Sequence, residues 1–197
     1  MGIHEIKAES AKRKAEGRRA VFLDRDGVIN RSNVIEGKPY APRRLADFRL
    51  LPGAVAAVER LRAAGFKVVV VTNQPDIGNG LVDAAEVEAM HARLRQRMSV
   101  DDIRVCPHRQ TDGCACRKPA PGMLLAAAAE HGIDLSASYM VGDRNSDIVA
   151  GAEAGCYTLL IRRGYFETVT RRPSRYARSL AHATGLILEH FSGDSRI

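Results

Sequence analysis

Apolar positions along this chain fall into two alternating patterns. Short unbroken apolar runs stand at residues 20–24, in FKVVVVTNQ (66–74), DIRV (102–105), SYMVGD (138–143) and CYTLLI (156–161). Most of them end in polar or acidic residues. Between them lie segments with apolar residues at helical spacing: PGAVAAVERLRAAG (52–65), DAAEVEAMHARLRQRM (83–98), PGMLLAAAAEHG (121–132) and SDIVAGAEAG (146–155). A continuous β-branched run reads as a strand buried on both faces, and helical spacing with Pro near the start and Gly at the end reads as a helix. Their alternation predicts an α/β fold, a doubly wound parallel sheet with helices on both faces, CYTLLI being its last strand.

In such sheets ligands bind at the carboxyl ends of the strands, so the residues there carry the functional argument. The first strand ends in Asp24-Arg25-Asp26-Gly27 and the second in Thr72-Asn73-Gln74. Arg117-Lys118-Pro119 follows a cysteine-rich segment, and the fourth strand ends in Gly142-Asp143, with Asp147 four residues on. Carboxylates crowded on one sheet edge repel, and a hard divalent cation such as Mg2+ relieves this with oxygen ligands. One carboxylate can attack phosphorus, and a second two residues along the strand can move the protons. A hydroxyl and an ammonium can hold the phosphoryl oxygens where charge develops.

Charge changes the picture only at the ends. The chain of 197 residues carries a formal net charge of +7. Residues 1–20 hold six Lys/Arg against three acids, and residues 162–197 hold seven Arg against three, so the 141 residues between them are neutral. This divides the chain into a basic N-terminal extension (1–19), a core domain (20–165) and a C-terminal helical, basic segment (166–197). Aromatic residues are 5% of the chain with no Trp, a poor supply of stacking platforms for nucleic acid. No apolar run approaches the roughly 20 residues needed to span a bilayer, and the N-terminus has no secretory apolar stretch. A cytoplasmic monomer with neither membrane insertion nor a nucleic-acid partner is the expectation.

In that compartment clustered cysteines point to metal rather than disulfides. Cys106, His108, Cys114 and Cys116 are spaced C-x-H-x5-C-x-C, three thiolates and an imidazole suited to tetrahedral Zn2+. Four protein ligands leave no open position for water, so the predicted zinc-binding loop is structural. Cys156, at the start of an apolar strand, reads as core.

FLDRDGVIN, VVVTNQ, CRKPAPGM and MVGDRNSD resemble, in order, the four motifs of the haloacid dehalogenase superfamily of phosphohydrolases. The resemblance implies Asp24 as nucleophile, Asp26 as general acid/base, and Thr72 and Lys118 as phosphate ligands. It also implies a catalytic Mg2+ held by Asp24, Asp143 and the backbone carbonyl of Asp26. Asp26 and Thr72 are only 46 positions apart, which leaves no room for a cap domain. The cysteine clip before Arg-Lys-Pro is similar to that of the histidinol-phosphatase-like group, above all its D-glycero-D-manno-heptose 1,7-bisphosphate 7-phosphatases. That similarity implies a small phosphorylated sugar as substrate, within nucleotide-heptose and surface-glycan synthesis. Asn73, Gln74, Arg117 and Arg144 are the candidate substrate-binding residues. Histidinol phosphate is the alternative ester, followed by a polynucleotide 3′-phosphate or a non-catalytic binding role. Two stretches depart from the heptose group: PDIGNG has Asn79 where an arginine is usual, and SNVIEGKPYAPRRL (32–45) is longer. Arg43 and Arg44 in the latter are either solvated or distal anion ligands.

Overall fold

The computed structural model describes residues 18–194. The basic extension expected at 1–19 therefore lies outside the described residues, except for Arg18 and Arg19. The central sheet contains β1 (Ala20–Leu23), β4 (Lys67–Asn73), β5 (Asp102–Cys106), β6 (Tyr139–Gly142), β7 (Tyr157–Ile161) and β8 (Arg175–Ala177). Their order is β5-β4-β1-β6-β7-β8, and every neighbouring pair is parallel. The chain builds outward from β1 to β4 and β5, then crosses to β6 on the other side of β1. This reversal of direction opens a crevice at the carboxyl ends of β1 and its neighbours.

Alternation along each strand decides which helix it meets. Val21 and Leu23 of β1 and Val68 and Val70 of β4 face one layer, with α1 (Ala54–Ala63), α3 (Ala84–Arg97) and α6 (Leu180–Asp194). Ala20, Phe22, Val69 and Val71 face the opposite layer, with α4 (Gly122–His131) and α5 (Asn145–Glu153). Both faces of the strands are therefore buried, which explains why they read as unbroken apolar runs.

Three elements depart from the sequence expectation. CYTLLI is not the last strand: β8 adds a sixth, with Leu159 paired to Arg175 and Ile161 to Ala177. Three residues at a sheet edge, two of them exposed, carry too little apolar pattern to be legible. The stretch 32–45 is not a plain loop but holds the antiparallel hairpin of β2 (Asn33–Ile35) and β3 (Lys38–Tyr40). The short helix α2 (Pro75–Gly78) follows β4 directly. No cap domain interrupts the described residues. The C-terminal part packs on the domain through α6, where Phe191 meets Phe66 edge-on at 5.2 Å. None of the described helices is long and apolar enough to cross a membrane.

Candidate active site

Two neighbouring strands deliver the first acids. Asp24 follows β1 and Asp143 follows β6, and the strands are locked in register by Asp24 N–H donating to Val141 O at 2.9 Å. Asp147 comes back from the first turn of α5. Carboxylate oxygens of Asp24, Asp143 and Asp147 lie within 4.8 Å of one another, and all three residues are buried. One ammonium bridges two of them. Lys118 Nζ donates to Asp24 Oδ1 at 2.6 Å and to Val71 O at 2.7 Å, and pairs with Asp147 Oδ1 at 2.6 Å. A lysine ammonium has three protons, so this set accounts for all of them.

The electrostatics follow from burial. Desolvation raises the Asp24 carboxyl to about 7, with the charges of Asp147 and Asp26 adding to it and Lys118 opposing. Asp143 is also held well above the carboxylate range, first by burial and then by the charges of Asp24 and Asp147. Burial alone would lower Lys118, but the charges of Asp147 and Asp24 win and hold it above the ordinary ammonium value. Against burial and these charges, the Tyr165 hydroxyl is a donor beside the Asp143 carboxylate and draws it down somewhat. One hydroxyl donor does little for three buried carboxylates crowded within 4.8 Å, and a hard cation is the ligand that satisfies them. The oxygen-only donor set therefore fits Mg2+.

Asp26 sits on the opposite side, engaged by Arg25, by Asn30 Nδ2 at 2.8 Å and by Gln74 Nε2 at 2.8 Å. The same Gln74 amide reaches Thr72 Oγ1 at 2.9 Å and so links the two. Gly27 then needs its absent side chain. Its φ is +90°, and a Cβ there would stand 1.8 Å from Asp143 Oδ2 and 2.9 Å from the Tyr165 hydroxyl. Gly27→Ala is expected to displace Asp143 and lower kcat/KM by about 100-fold, as near-ångström misplacement of reacting groups does. Steady-state kinetics beside a melting curve check this, and wild-type activity would mean that the acid turn yields freely.

Above the acids opens a cavity of about 500 Å³, lined by Asp24, Lys38, Tyr40, Arg117, Arg144 and Phe166 among others. Strand β3 of the hairpin, through Lys38, Pro39 and Tyr40, forms part of its wall. Gly37 at the hairpin turn packs under the Phe166 ring, and Phe166 N–H donates to Gly37 O at 3.0 Å.

The cysteine clip assembles beside this cavity. Cys106 Sγ lies 3.5 Å from Cys114 Sγ and 3.6 Å from His108 Nδ1. Cys116 Sγ lies 3.5 Å from Cys114 Sγ and 3.2 Å from His108 Nδ1. Zn–S bonds of about 2.3 Å and Zn–N bonds of about 2.0 Å in a tetrahedron put ligand atoms roughly 3.5–3.8 Å apart, so the set fits zinc. Burial pushes the Cys106 thiol up to about 12, so a cation is what makes it a thiolate. Cys106 pairs with Asn73 across β5 and β4, which ties the clip to the second motif.

The expected substrate residues divide. Arg117 lines the cavity, and among the described residues its buried Nη1 has no partner. Arg144 lines it too, but Glu167 holds its guanidinium at 3.0 Å. Gln74 is engaged with Asp26 and Thr72. Asn73 is occupied at both ends: its amide donates to Lys118 O at 2.9 Å, and its oxygen accepts from Lys118 N–H at 3.1 Å. It aims the lysine. Arg43 and Arg44 do not face the cavity as free cations; they pair with Asp76 at 2.7 Å and Asp47 at 2.8 Å. Spacing alone assigns Asp147 no role. The structure makes it a hub, since its Oδ2 also accepts the backbone N–H groups of Asp143 and Arg144. Tyr165, Asn30 and His91 were missed, because no motif spacing marks them.

Residues 115–183 match the HAD-hydrolase-like family. The chain is 41% identical over 152 residues to the D-glycero-beta-D-manno-heptose-1,7-bisphosphate 7-phosphatase of Pseudomonas aeruginosa, covering 75% of this chain and 83% of that one. It is 40% identical to the D-glycero-alpha-D-manno-heptose-1,7-bisphosphate 7-phosphatase of Mycobacterium tuberculosis, covering 72% and 78%. Among solved structures, it resembles the D,D-heptose 1,7-bisphosphate phosphatase of B. bronchiseptica, complexed with magnesium and phosphate. The TM-score is 0.76 at 34% identity, over 87% of this chain and 99% of that chain.

Proposed function

This chain belongs to the HAD-like hydrolases, and on that premise we propose that it removes the 7-phosphate of a D-glycero-D-manno-heptose 1,7-bisphosphate. The observation that carries the reading is the buried cluster of Asp24, Asp143 and Asp147, with Lys118 paired to Asp24 and Asp147, beside a cavity of about 500 Å³ lined also by Arg117 and Arg144. Asp24 attacks phosphorus, and the ester oxygen leaves with a proton from Asp26. Asp26 then takes a proton from the water that hydrolyses the aspartyl-phosphate. Thr72 and Lys118 bind the phosphoryl oxygens, Lys118 exchanging part of its carboxylate contacts for substrate. Asp147 and Asn73 hold Lys118 in place. Arg117, with its unpartnered nitrogen, serves the distal phosphate.

Magnesium held by Asp24, Asp143 and the main-chain carbonyl of Asp26 would neutralise the crowded carboxylates and the transferring phosphoryl group. Zinc in the cysteine clip is structural in this reading. The enzyme works as a cytoplasmic monomer in nucleotide-heptose and surface-glycan synthesis, with 20–165 as its catalytic unit and 166–194 packed against it.

The test is phosphate release from both anomers of heptose 1,7-bisphosphate and from histidinol phosphate, side by side. Preference for a heptose bisphosphate by at least about tenfold in kcat/KM is expected, because a second anionic end adds charge-assisted contacts. Equal or better turnover of histidinol phosphate would overturn the substrate.

Magnesium binding should depend on pH. The folded Asp24 carboxyl is raised to about 7 from an ordinary 3.8. In metal-free protein its contribution to stability is therefore full below about 4 and is lost as pH rises through about 7. Magnesium takes the ionised form, so its affinity rises across that window by up to about tenfold per pH unit for each proton displaced, with proton release. Calorimetric titration in buffers of different ionisation enthalpy at pH 6 and pH 8 reads this directly. Equal affinity with no proton release at pH 6 would contradict it.

A further inference from the structure

Behind Asp26 a polar chain runs away from the cavity into the core. Arg25, between the two carboxylates of the first motif, has no exposed surface. Its Nε lies 3.2 Å from both Asp26 oxygens, and its Nη2 lies 3.1 and 3.0 Å from them. The remaining Nη1 reaches Nε2 of His91 at 3.0 Å. His91, on α3, is 1% exposed, and its Nδ1 faces Glu88 Oε2 at 3.5 Å. Burial first and the charge of Arg25 second hold the imidazole down to about 4, so the ring is neutral. An arginine only donates, so Nε2 is the acceptor and Nδ1 carries the ring proton toward Glu88. The Phe48 ring stands over the guanidinium at 5.7 Å.

Neither Arg25 nor His91 lines the cavity, so neither touches substrate. As a device for stability the arrangement is poor, because apolar packing of equal volume generally does as well as a buried ion pair. What a planar guanidinium supplies instead is orientation, since its fork fixes the plane of the carboxylate it grips. His91 satisfies the one nitrogen that Asp26 does not engage, and so stops the fork from turning. We propose that Arg25 and His91 are positioning residues for proton transfer by Asp26: His91 sets the guanidinium, and the guanidinium sets the carboxylate that serves the leaving group. No proton travels along this chain; arginine stays protonated and histidine neutral throughout. The inference rests on Asp26 being the general acid/base.

The leaving group separates positioning from mere stability. The 4-nitrophenolate of 4-nitrophenyl phosphate departs with little protonation, whereas the alkoxide of a sugar phosphate needs the proton. His91→Leu and Arg25→Lys are expected to lower kcat/KM on the sugar phosphate about tenfold more than on the aryl phosphate, a fraction of what general acid catalysis contributes. His91→Gln, which keeps an acceptor, should recover most of that difference. If His91→Leu fails to fold, Arg25→Lys, which keeps the charge and loses the fork, carries the same comparison. Equal losses on both esters in a folded variant overturn the proposal. Asp26→Asn, run alongside, keeps the two readings apart. If it discriminates between the esters and the other variants do not, only the positioning role falls; if it does not discriminate, the assignment of Asp26 itself falls.

Discussion

Asp24→Asn should leave no more than about one part in 10⁴ of the wild-type kcat, because an amide neither attacks phosphorus nor departs from it. The fold should survive. Lys118 keeps Asp147 and the Val71 carbonyl when it loses Asp24. The substitution also removes a carboxylate whose burial and neighbours already hold it half-neutral near pH 7. The melting temperature of the metal-free variant is therefore expected to equal or exceed that of the wild type. Acid-quenching both proteins with radiolabelled substrate gives the decisive comparison. Label should stay on wild-type protein and be absent from the variant. A variant that turns over at a tenth of the wild-type rate would move the nucleophile to another residue.

The second large effect is expected at the clip. Removing zinc with a chelator, or replacing Cys116 by Ser, should lower the melting temperature by about 10 °C and abolish most activity, although no ligand of the clip touches the cavity acids. The stretch from Pro107 to Arg117 is mostly polar and exposed or half-buried, so apolar burial cannot hold it. Its other anchors are a few polar contacts, such as Gly78 N–H to Pro107 O at 2.9 Å and Arg109 Nε to Gly78 O at 2.6 Å, and the approach of Ala115 to Gly122. Lys118 lies two residues beyond Cys116. Released from the clip, its backbone keeps only the Asn73 clamp, and its ammonium loses the fixed approach to Asp24 and Asp147. Metal content measured beside activity, with recovery on adding zinc back, checks the claim. Full activity in zinc-free protein would show that Asn73 alone suffices to aim the lysine.

Both effects concern residues that motif spacing made visible. The first-motif aspartates, Thr72, Lys118, Asp143 and the four clip ligands could all be named from linear order, because each sits just past an apolar strand or in a tight local cluster. Arg25 could be read only as the residue between two aspartates. Its partner His91 lies 66 positions away on α3, within a helix whose own pattern says nothing of a buried acceptor. Asn73, a candidate substrate ligand, lines the cavity and also clamps the Lys118 backbone, a role spacing could not show because its two amide functions meet the chain 45 positions on. Arg43 and Arg44 looked like free cations until Asp76 and Asp47 were found beside them. The hairpin at 33–40 and the strand at 175–177 escaped notice because short, largely exposed strands lack the buried faces that make periodicity readable.

By itself, then, the amino-acid sequence determined the layered α/β architecture and the chemical identity of the site. Burial of both strand faces demands continuous apolar runs, and functional groups must follow them at the sheet edge. Only the tertiary structure decided how those groups are held. It set Lys118 among Asp24, Asp147 and the Val71 carbonyl, buried Asp143 beside Asp24 and Asp147, and gripped Asp26 from behind with Arg25 and His91. The reason is physical: strand burial and ligand clusters are local in the chain and leave a periodic trace. Hydrogen-bond partners joined across many tens of residues depend on strand order and helix docking, which no local pattern records.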